Sequence, residues 1–335
     1  MKKIKIAQIG TSQNSHGNFI FDSLKKNSDL FEIVGYHLPE NEAEKFPEKV
    51  SVFEGYKHLT LEEIMQNPDI EAVAIETEEI YLTKYAQIAA EHKKHIHMEK
   101  PGGTDLKEFE KLIDLVKKNQ KVFHIGYMYR YNPYIIELME QIKNGELGEI
   151  ISVEAQMNCS HPKDTRQWLD NFKGGMMFFL GCHLIDLIYS IRGKPKNIIA
   201  LNKCSGFEGV TSEDFGMAVF EYENGVSFAK TSAVEIGGFE RRQLVVSGTL
   251  KTVELKPLEW CTATGDIFTQ RYVCESKEWT AFTEKQVSEP CDRYDNMMIS
   301  FAKMVRGEKE NPKGYDYELE LYRIITDACG GEQYV

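Results

Sequence analysis

Over the first 125 residues, short apolar runs alternate with amphipathic stretches, and few folds accommodate that order. Lys3 to Ile9 is apolar and rich in β-branched residues, and it stops at Gly10. Phe19 to Leu24 then places apolar residues at helical spacing. Further strands are predicted at Glu32 to Tyr36, Ala72 to Ile75, His95 to Met98 and Val122 to Gly126. Between them lie helical stretches at Leu61 to Met65, Ile80 to Ala90 and Leu106 to Val116. The last repeats apolar residues at 106, 109, 112, 113 and 116, the 3.6-residue period of an amphipathic helix. Strands separated by single helices pair in parallel through right-handed crossovers, which gives a doubly wound sheet.

Near Gly145 to Gly148 the pattern changes. Ile150 to Met157 alternates polar and apolar residues, and Met176 to Ile191 reads as a helix after Gly174 and Gly175. From Ile198 to Leu255 strand follows strand, with Asn224-Gly225 as a hairpin signal. Tyr294 to Val305 and Tyr317 to Cys329 read as closing helices. The fold class is therefore α/β: a Rossmann-type doubly wound parallel sheet plus an α+β domain with a mostly antiparallel open sheet. We expect a dinucleotide-binding domain over 1–125 and a substrate-binding and oligomerisation domain over 126–315. The closing helix over 316–330 is open to return to the first domain.

Lys and Arg total 40 against 52 Asp and Glu, a formal charge of −12. That balance argues against nucleic acid or an anionic membrane as partner, because both call for a basic face. The start, MKKIKIAQIG, has too short an apolar run for a signal peptide, and no stretch approaches the ~18–20 apolar residues of a membrane span. The seven cysteines (159, 182, 204, 261, 274, 291 and 329) are scattered without a CxxC pair, as free thiols in a reducing compartment are. The expectation is a cytoplasmic protein.

A strand that ends at a glycine and leads through a loop into a helix is where a dinucleotide pyrophosphate would rest, on the helix N-terminus. The full GxGxxG is absent. The segment reads Gly10-Thr11-Ser12-Gln13-Asn14-Ser15-His16-Gly17. Gly10, Thr11, Ser12 and Ser15 are the candidate phosphate-binding residues; the plain alternative is an ordinary turn with Ser15 as helix cap. The position after the second strand that would hold the adenosine ribose is Leu38, with Glu40 or Glu42 as substitutes from the next turn. No arginine stands near to favour a 2′-phosphate, so NAD is expected and NADP is left open.

Three further blocks resemble the Gfo/Idh/MocA oxidoreductases: His95-Ile96-His97-Met98-Glu99-Lys100-Pro101, Gly126-Tyr127-Met128-Tyr129-Arg130-Tyr131-Asn132-Pro133, and Gly174-Gly175 followed by Gly181-Cys182-His183-Leu184-Ile185-Asp186. The resemblance implies catalytic roles for Lys100, as electrophile or proton relay, and for His183, as general acid/base. It implies that Glu99 and Pro101 shape the turn at the cofactor, with a Lys-Pro bond open to the cis form, and that Thr77 touches the nicotinamide ribose. Tyr129 and Trp168 join the cofactor set. Lys100, Tyr127, Arg130, Phe179, His183 and Asp186 form the substrate set. It further implies a carbohydrate-like small-molecule substrate and self-association, as dimer or tetramer, through the open face of the second sheet.

The departures are specific. The family's Asp, four residues before the histidine, is here Phe179. Its Pro and His after the third strand are missing from Thr77-Glu78-Glu79-Ile80-Tyr81-Leu82. Read plainly, Lys100 is a surface lysine before a turn, His183 a satisfied core histidine, Asp186 an anchor of its helix, and Glu76, Glu78 and Glu79 a solvated strand end. No metal site is expected: His92, His95 and His97 need not converge, and Cys159 with His161 is too few. The leading function is NAD(P)-dependent hydride transfer on a sugar, polyol or related secondary alcohol. The alternatives are a redox-assisted glycoside hydrolase or lyase with recycled, tightly bound NAD, and a non-catalytic sugar or nucleotide sensor.

Overall fold

The computed structural model describes residues 2–262, 266–275, 277–278 and 285–331. These divide into two compact units, one of residues 2–127 with Tyr294–Tyr322, the other of Met128–Arg293 with 323–331.

The first unit carries β1 (Ile4–Ile9), α1 (Gly17–Lys26), β2 (Phe31–His37), α2 (Glu42–Lys45), α3 (Pro47–Val50), α4 (Leu61–Gln66), β3 (Ala72–Ile75), α5 (Leu82–Glu91), β4 (His95–Met98), α6 (Leu106–Asn119) and β5 (Phe123–Ile125). The sheet order is β2-β1-β3-β4-β5 and every pairing is parallel. β3 and β5 are buried at every residue, as strands covered on both faces are. Helix starts follow local chemistry. Thr60 and Glu63 form a reciprocal capping box at α4, and Asp105 caps α6 by accepting from Glu108 N. The buried residues of α6 are Phe109, Leu112, Ile113 and Val116, the face its period predicts.

The second unit adds α7 (Pro133–Lys143), β6 (Ile150–Asn158), α8 (Lys163–Trp168), a π-helical turn at Met177–Gly181, α9 (Cys182–Arg192), β7 (Asn197–Ala200), β8 (Phe215–Tyr222), β9 (Gly225–Ser232), β10 (Gln243–Gly248), β11 (Thr252–Leu255), β12 (Trp260–Cys261), β13 (Ile267–Phe268), β14 (Gln270–Cys274) and β15 (Gln286–Val287). Eight strands form one sheet in the order β15-β14-β11-β10-β6-β9-β8-β7. Its pairings are antiparallel except for β6 with β9. α9 packs on β6 and β9.

The expected single helix from Met176 to Ile191 is thus two pieces, a π turn running into α9. At the hairpin, Tyr222 pairs with Gly225, so Glu223 and Asn224 make the turn. Gly225 begins β9 instead, because a Cβ there would lie 2.1 Å from Ile151 O.

The stretch from 294 to 315, expected with the second domain, packs in the first unit as α10 (Asp295–Val305) and the start of α11 (Tyr315–Ala328). The reason is an apolar face that meets the first sheet's helices. Phe301 stacks on His124 and lies tilted against His97, Asp295 accepts from Ser23 Oγ, and Asn311 Nδ2 donates to Phe123 O. Among the described residues no helix is long and apolar enough to cross a membrane, and Cys159, Cys204, Cys261, Cys291 and Cys329 are free thiols.

Candidate functional site

The carboxyl ends of β1, β3 and β4 bring together Gly10, the segment 76–79 and the segment 99–101. Gly10 has φ +88°, and a Cβ there would lie 2.4 Å from Thr77 Cα, so only glycine lets the first loop approach the third. In the loop from Thr11 to Ser15, Thr11, Ser12 and Ser15 are buried while Gln13 is exposed, and the loop is tied to itself. Ser12 N donates to Ser15 Oγ and Ser15 N to Ser12 Oγ, both at 3.0 Å. Ser15 Oγ also accepts from Gly17 N at 3.3 Å and donates to Glu76 O at 3.2 Å. Thr11 Oγ1 meets Asn18 Oδ1 at 3.2 Å. His16 stands at the N-cap of α1 without a side-chain bond to the helix.

Of the two candidates for the ribose position, only Glu40 reaches the surface. Glu40 accepts from Lys84 Nζ and from Tyr85 OH. Glu42 turns inward and is fully buried. Its Oε2 accepts from Thr11 N at 2.9 Å, and its Oε1 accepts from Thr77 Oγ1 and from Glu78 N at 3.2 Å. Thr77 is thereby committed to a carboxylate. Burial raises the Glu42 carboxyl to about 7, against the pull of its three donors. These strand ends thus offer backbone and hydroxyl donors to a pair of carboxyl oxygens, the kind of donor a pyrophosphate takes. The residues therefore fit a dinucleotide, with one donor already taken by the chain's own carboxylate.

The acidic strand end is not solvated as expected. Glu76 and Glu79 are buried, as are Glu99 and Lys100; only Glu78 reaches the surface, where it pairs with Lys45. The hydrophobic strand ends carry these side chains inward, because β3 is covered on both faces. Lys100 is 1% exposed, its Nζ lies 3.8 Å from Glu99 Oε1, and the Lys100-Pro101 bond is cis. Burial pushes the carboxyls of Glu76, Glu79 and Glu99 up, while Lys100 works against that rise in all three. Behind them His97 Nε2 lies 3.5 Å from Glu76 Oε1, and its Nδ1 is 2.8 Å from His124 Nδ1. Burial lowers the His97 imidazole to about 3, so the ring is neutral. Tyr127, next to the end of β5, is buried in the same unit.

In the second unit His183 is buried on the first turn of α9, edge-on to Tyr129 with ring centroids 5.6 Å apart. Tyr129, expected at the cofactor, donates its hydroxyl to Glu259 Oε1 at 2.9 Å. Glu259 also accepts from Arg242 and from Arg293. Burial alone would raise its carboxyl, but the two guanidiniums hold it below the ordinary range. Arg130 and Asp186, both expected at substrate, bind each other through two parallel bonds of 2.9 and 2.8 Å. Phe179 lies on the π turn, edge-on to Trp168 at 5.0 Å and 6.3 Å from the His161 ring. Met177 Sδ would lie 2.4 Å from a Cβ at Gly181, so the missing side chain is what this turn is wound around. π turns recur at functional sites, and this one stands directly before His183.

Sequence reasoning missed Glu259, which lies 130 residues from its partner Tyr129 and carries no local signal. It also missed the inward turn of Glu42. A signal was present there: Asn41, with φ +60°, is a residue type that tolerates the left-handed region, and it aims the next side chain back toward β1.

Residues 4–127 match the family model for the oxidoreductase family with an NAD-binding Rossmann fold, and residues 135–254 match that for the GFO/IDH/MocA C-terminal domain. The uncharacterized oxidoreductase YrbE of Bacillus subtilis (strain 168) is 22% identical over 275 residues, 79% of this chain and 77% of its own. The glucose-6-phosphate 3-dehydrogenase of the same organism is 27% identical over 195 residues, 56% of this chain and 53% of its own. Among solved structures, the 3-ketoreductase KijD10 of Actinomadura kijaniata, in complex with NADP and TDP-benzene, has a TM-score of 0.79 at 15% identity. That match covers 99% of this chain and 98% of the other, and at such identity it shows the fold.

Proposed function

Since this chain belongs to the Gfo/Idh/MocA oxidoreductase family, we propose that it oxidises or reduces a secondary alcohol–ketone pair on a sugar, polyol or related ring, with NAD or NADP. The observation that carries the reading is the buried ammonium of Lys100 at the carboxyl edge of the parallel sheet, where such sheets take their ligands. The substrate class is supported by a relative named for the oxidation of a sugar, the glucose-6-phosphate 3-dehydrogenase.

The loop 10–15 and the first turn of α1 would hold the pyrophosphate, with Thr77, Glu99 and Lys100 at the nicotinamide end. A bound nicotinamide supplies the hydride acceptor or donor. Lys100 stabilises the negative charge that develops on the substrate oxygen, in a place from which water is excluded. Glu99 places a carboxyl oxygen 3.8 Å from the Lys100 Nζ. His183 exchanges the hydroxyl proton. Arg130 acts through Asp186: the pair neutralises a buried carboxylate three residues after His183 and pins α9.

The test is turnover of a panel of sugars and polyols with each dinucleotide, followed by absorbance of the reduced nicotinamide. Lys100→Met and His183→Ala are each expected to lower kcat/KM by roughly a hundredfold or more. Unchanged turnover of a true substrate in both variants defeats the reading.

A further inference from the structure

We propose that Glu42 competes with the dinucleotide for the phosphate loop, so that binding requires this carboxylate to leave the Thr11 N–H. The proposal rests on the cofactor reading above and deepens it.

Three observations carry it. First, a loop that would receive a phosphate oxygen already holds a carboxylate oxygen on a backbone donor: Thr11 N to Glu42 Oε2 is 2.9 Å. Second, the carboxylate is completely enclosed, and its other oxygen is held by Thr77 Oγ1 and Glu78 N. Two anions cannot share these donors without repulsion in a site this dry. Third, the segment that delivers Glu42 is held for release. Glu40 has φ +54°, strained for a glutamate, and it precedes Asn41 at +60°, a type that tolerates the left-handed region. α2 has only four residues, and its outward ties are the exposed pairs Lys84–Glu40 and Lys45–Glu78. Exposed pairs of this kind contribute only about 0–1 kcal/mol each. The strap can swing out, with Glu42 at its inner edge.

Release of the carboxyl follows pH. Burial raises Glu42 to about 7, so above that pH the enclosed group is an anion that water solvates better, and it leaves more readily. The groups around it are Glu78 from the loop after β3, paired with Lys45 of α2 itself, and Tyr85 of α5, which holds Glu40 together with Lys84. The hydroxyl of Tyr85 is pushed above its ordinary range by burial. The lysines of this region are bound to other carboxylates, Lys84 to Glu40 and Lys45 to Glu78, and Lys45 also feels the Glu42 carboxylate.

The decisive measurement is dinucleotide affinity by calorimetry on the full chain, which needs no turnover. NADH and NADPH are titrated into wild type and Glu42→Gln between pH 6 and pH 8. Glutamine keeps the shape and one acceptor without the charge, and its curve is the baseline for any titration of the 2′-phosphate of NADPH. For wild type the dissociation constant is expected to fall about tenfold across that range, because a carboxyl that titrates near 7 when enclosed and as an ordinary glutamate once released leaves more readily as it ionises. Glu42→Gln is expected to stay flat with NADH, so that the ratio of the two dissociation constants changes about tenfold between pH 6 and pH 8. Wild-type affinity independent of pH, or the same pH dependence in Glu42→Gln, overturns the competition and leaves the cofactor reading standing. If neither dinucleotide binds wild type or Glu42→Gln at any pH in the range, the cofactor reading fails and the competition fails with it. Should Glu42→Gln not fold, the wild-type pH series decides alone.

Discussion

At the scale of single residues, this protein gathers carboxyl groups where an exposed acidic patch was expected. Glu79 is the clearest case. Burial raises it to about 7, and Lys100 works against that rise. The folded form holds its proton up to about pH 7, whereas the unfolded chain releases it near 4.5. Between those values the native state binds more protons than the unfolded state, so this group's contribution to stability falls as pH rises through the window. The isosteric neutral variant Glu79→Gln is therefore expected to melt higher than wild type at pH 8, by about 2–3 kcal/mol of stability, and at nearly the same temperature at pH 5. Calorimetry at the two pH values checks it. Equal gains at both would show that packing, and not charge, is what the substitution changed. The same residue-scale reading explains Glu259, whose depressed carboxyl behaves oppositely. Its ion pairs with Arg242 and Arg293 are intact above the ordinary glutamate range, and they weaken only as pH falls below it.

At the scale of elements, the glycine pair before the π turn is a packing device as well as part of a family-like block. Gly175 has φ +41°, and a Cβ there would lie 2.2 Å from Glu213 O. Gly174 N donates to Glu213 Oε2 at 2.6 Å, and Met176 N donates to Glu213 O at 2.9 Å. The segment at 213 thus fastens the start of the helical stretch that carries His183. Gly175→Ala is expected to destabilise by about 2–4 kcal/mol, the sum of left-handed strain and a clash with backbone that cannot rotate away. Urea unfolding of the full chain measures it, and a loss under about 0.5 kcal/mol, the level of an ordinary surface change, would refute the close approach. The helix α7 makes a different point. Asn132 caps it by accepting from Tyr134 N and Ile135 N, Pro133 fills its first position, and Ile135 and Leu138 are its buried face. Each of these signals is local and was there to be read.

At the scale of the whole molecule, the chain builds its first sheet early and finishes that unit late. α10 and the start of α11 return after the whole second unit has been laid down. Phe301 then covers the two buried histidines, Tyr315 OH donates to Lys121 O, and Tyr322 OH donates to Gly103 O. The ring of Tyr322 stacks on Phe109 of α6 with centroids 4.2 Å apart. Phe301→Ala is expected to destabilise by about 3–5 kcal/mol, the range for removing a buried aromatic and leaving its cavity. Hydrogen exchange should localise that loss to β4 and β5. Protection loss confined to β6–β11 would mean that 294–322 does not complete the first unit.

Period and punctuation were enough to specify the elements and their class. Strand runs of four to seven apolar residues, the 3.6-residue spacing of α6, and caps such as Thr60 and Asp105 are local, and local energies are readable along a chain. The parallel order followed, because single-helix crossovers leave few alternatives. The family blocks placed Lys100, His183 and the cis-capable Pro101 at strand and helix ends. What needed the folded chain was every feature set by partners far apart in number. Glu42 turns toward Thr11 and Thr77, 31 and 35 residues away, and Glu259 toward Tyr129, 130 away. The direction of a polar side chain, inward to a donor or outward to water, depends on which distant groups remain to be satisfied once the apolar faces have packed. No spacing along the chain encodes that remainder, so the loop's occupied donor and the buried acids belong to the tertiary structure alone.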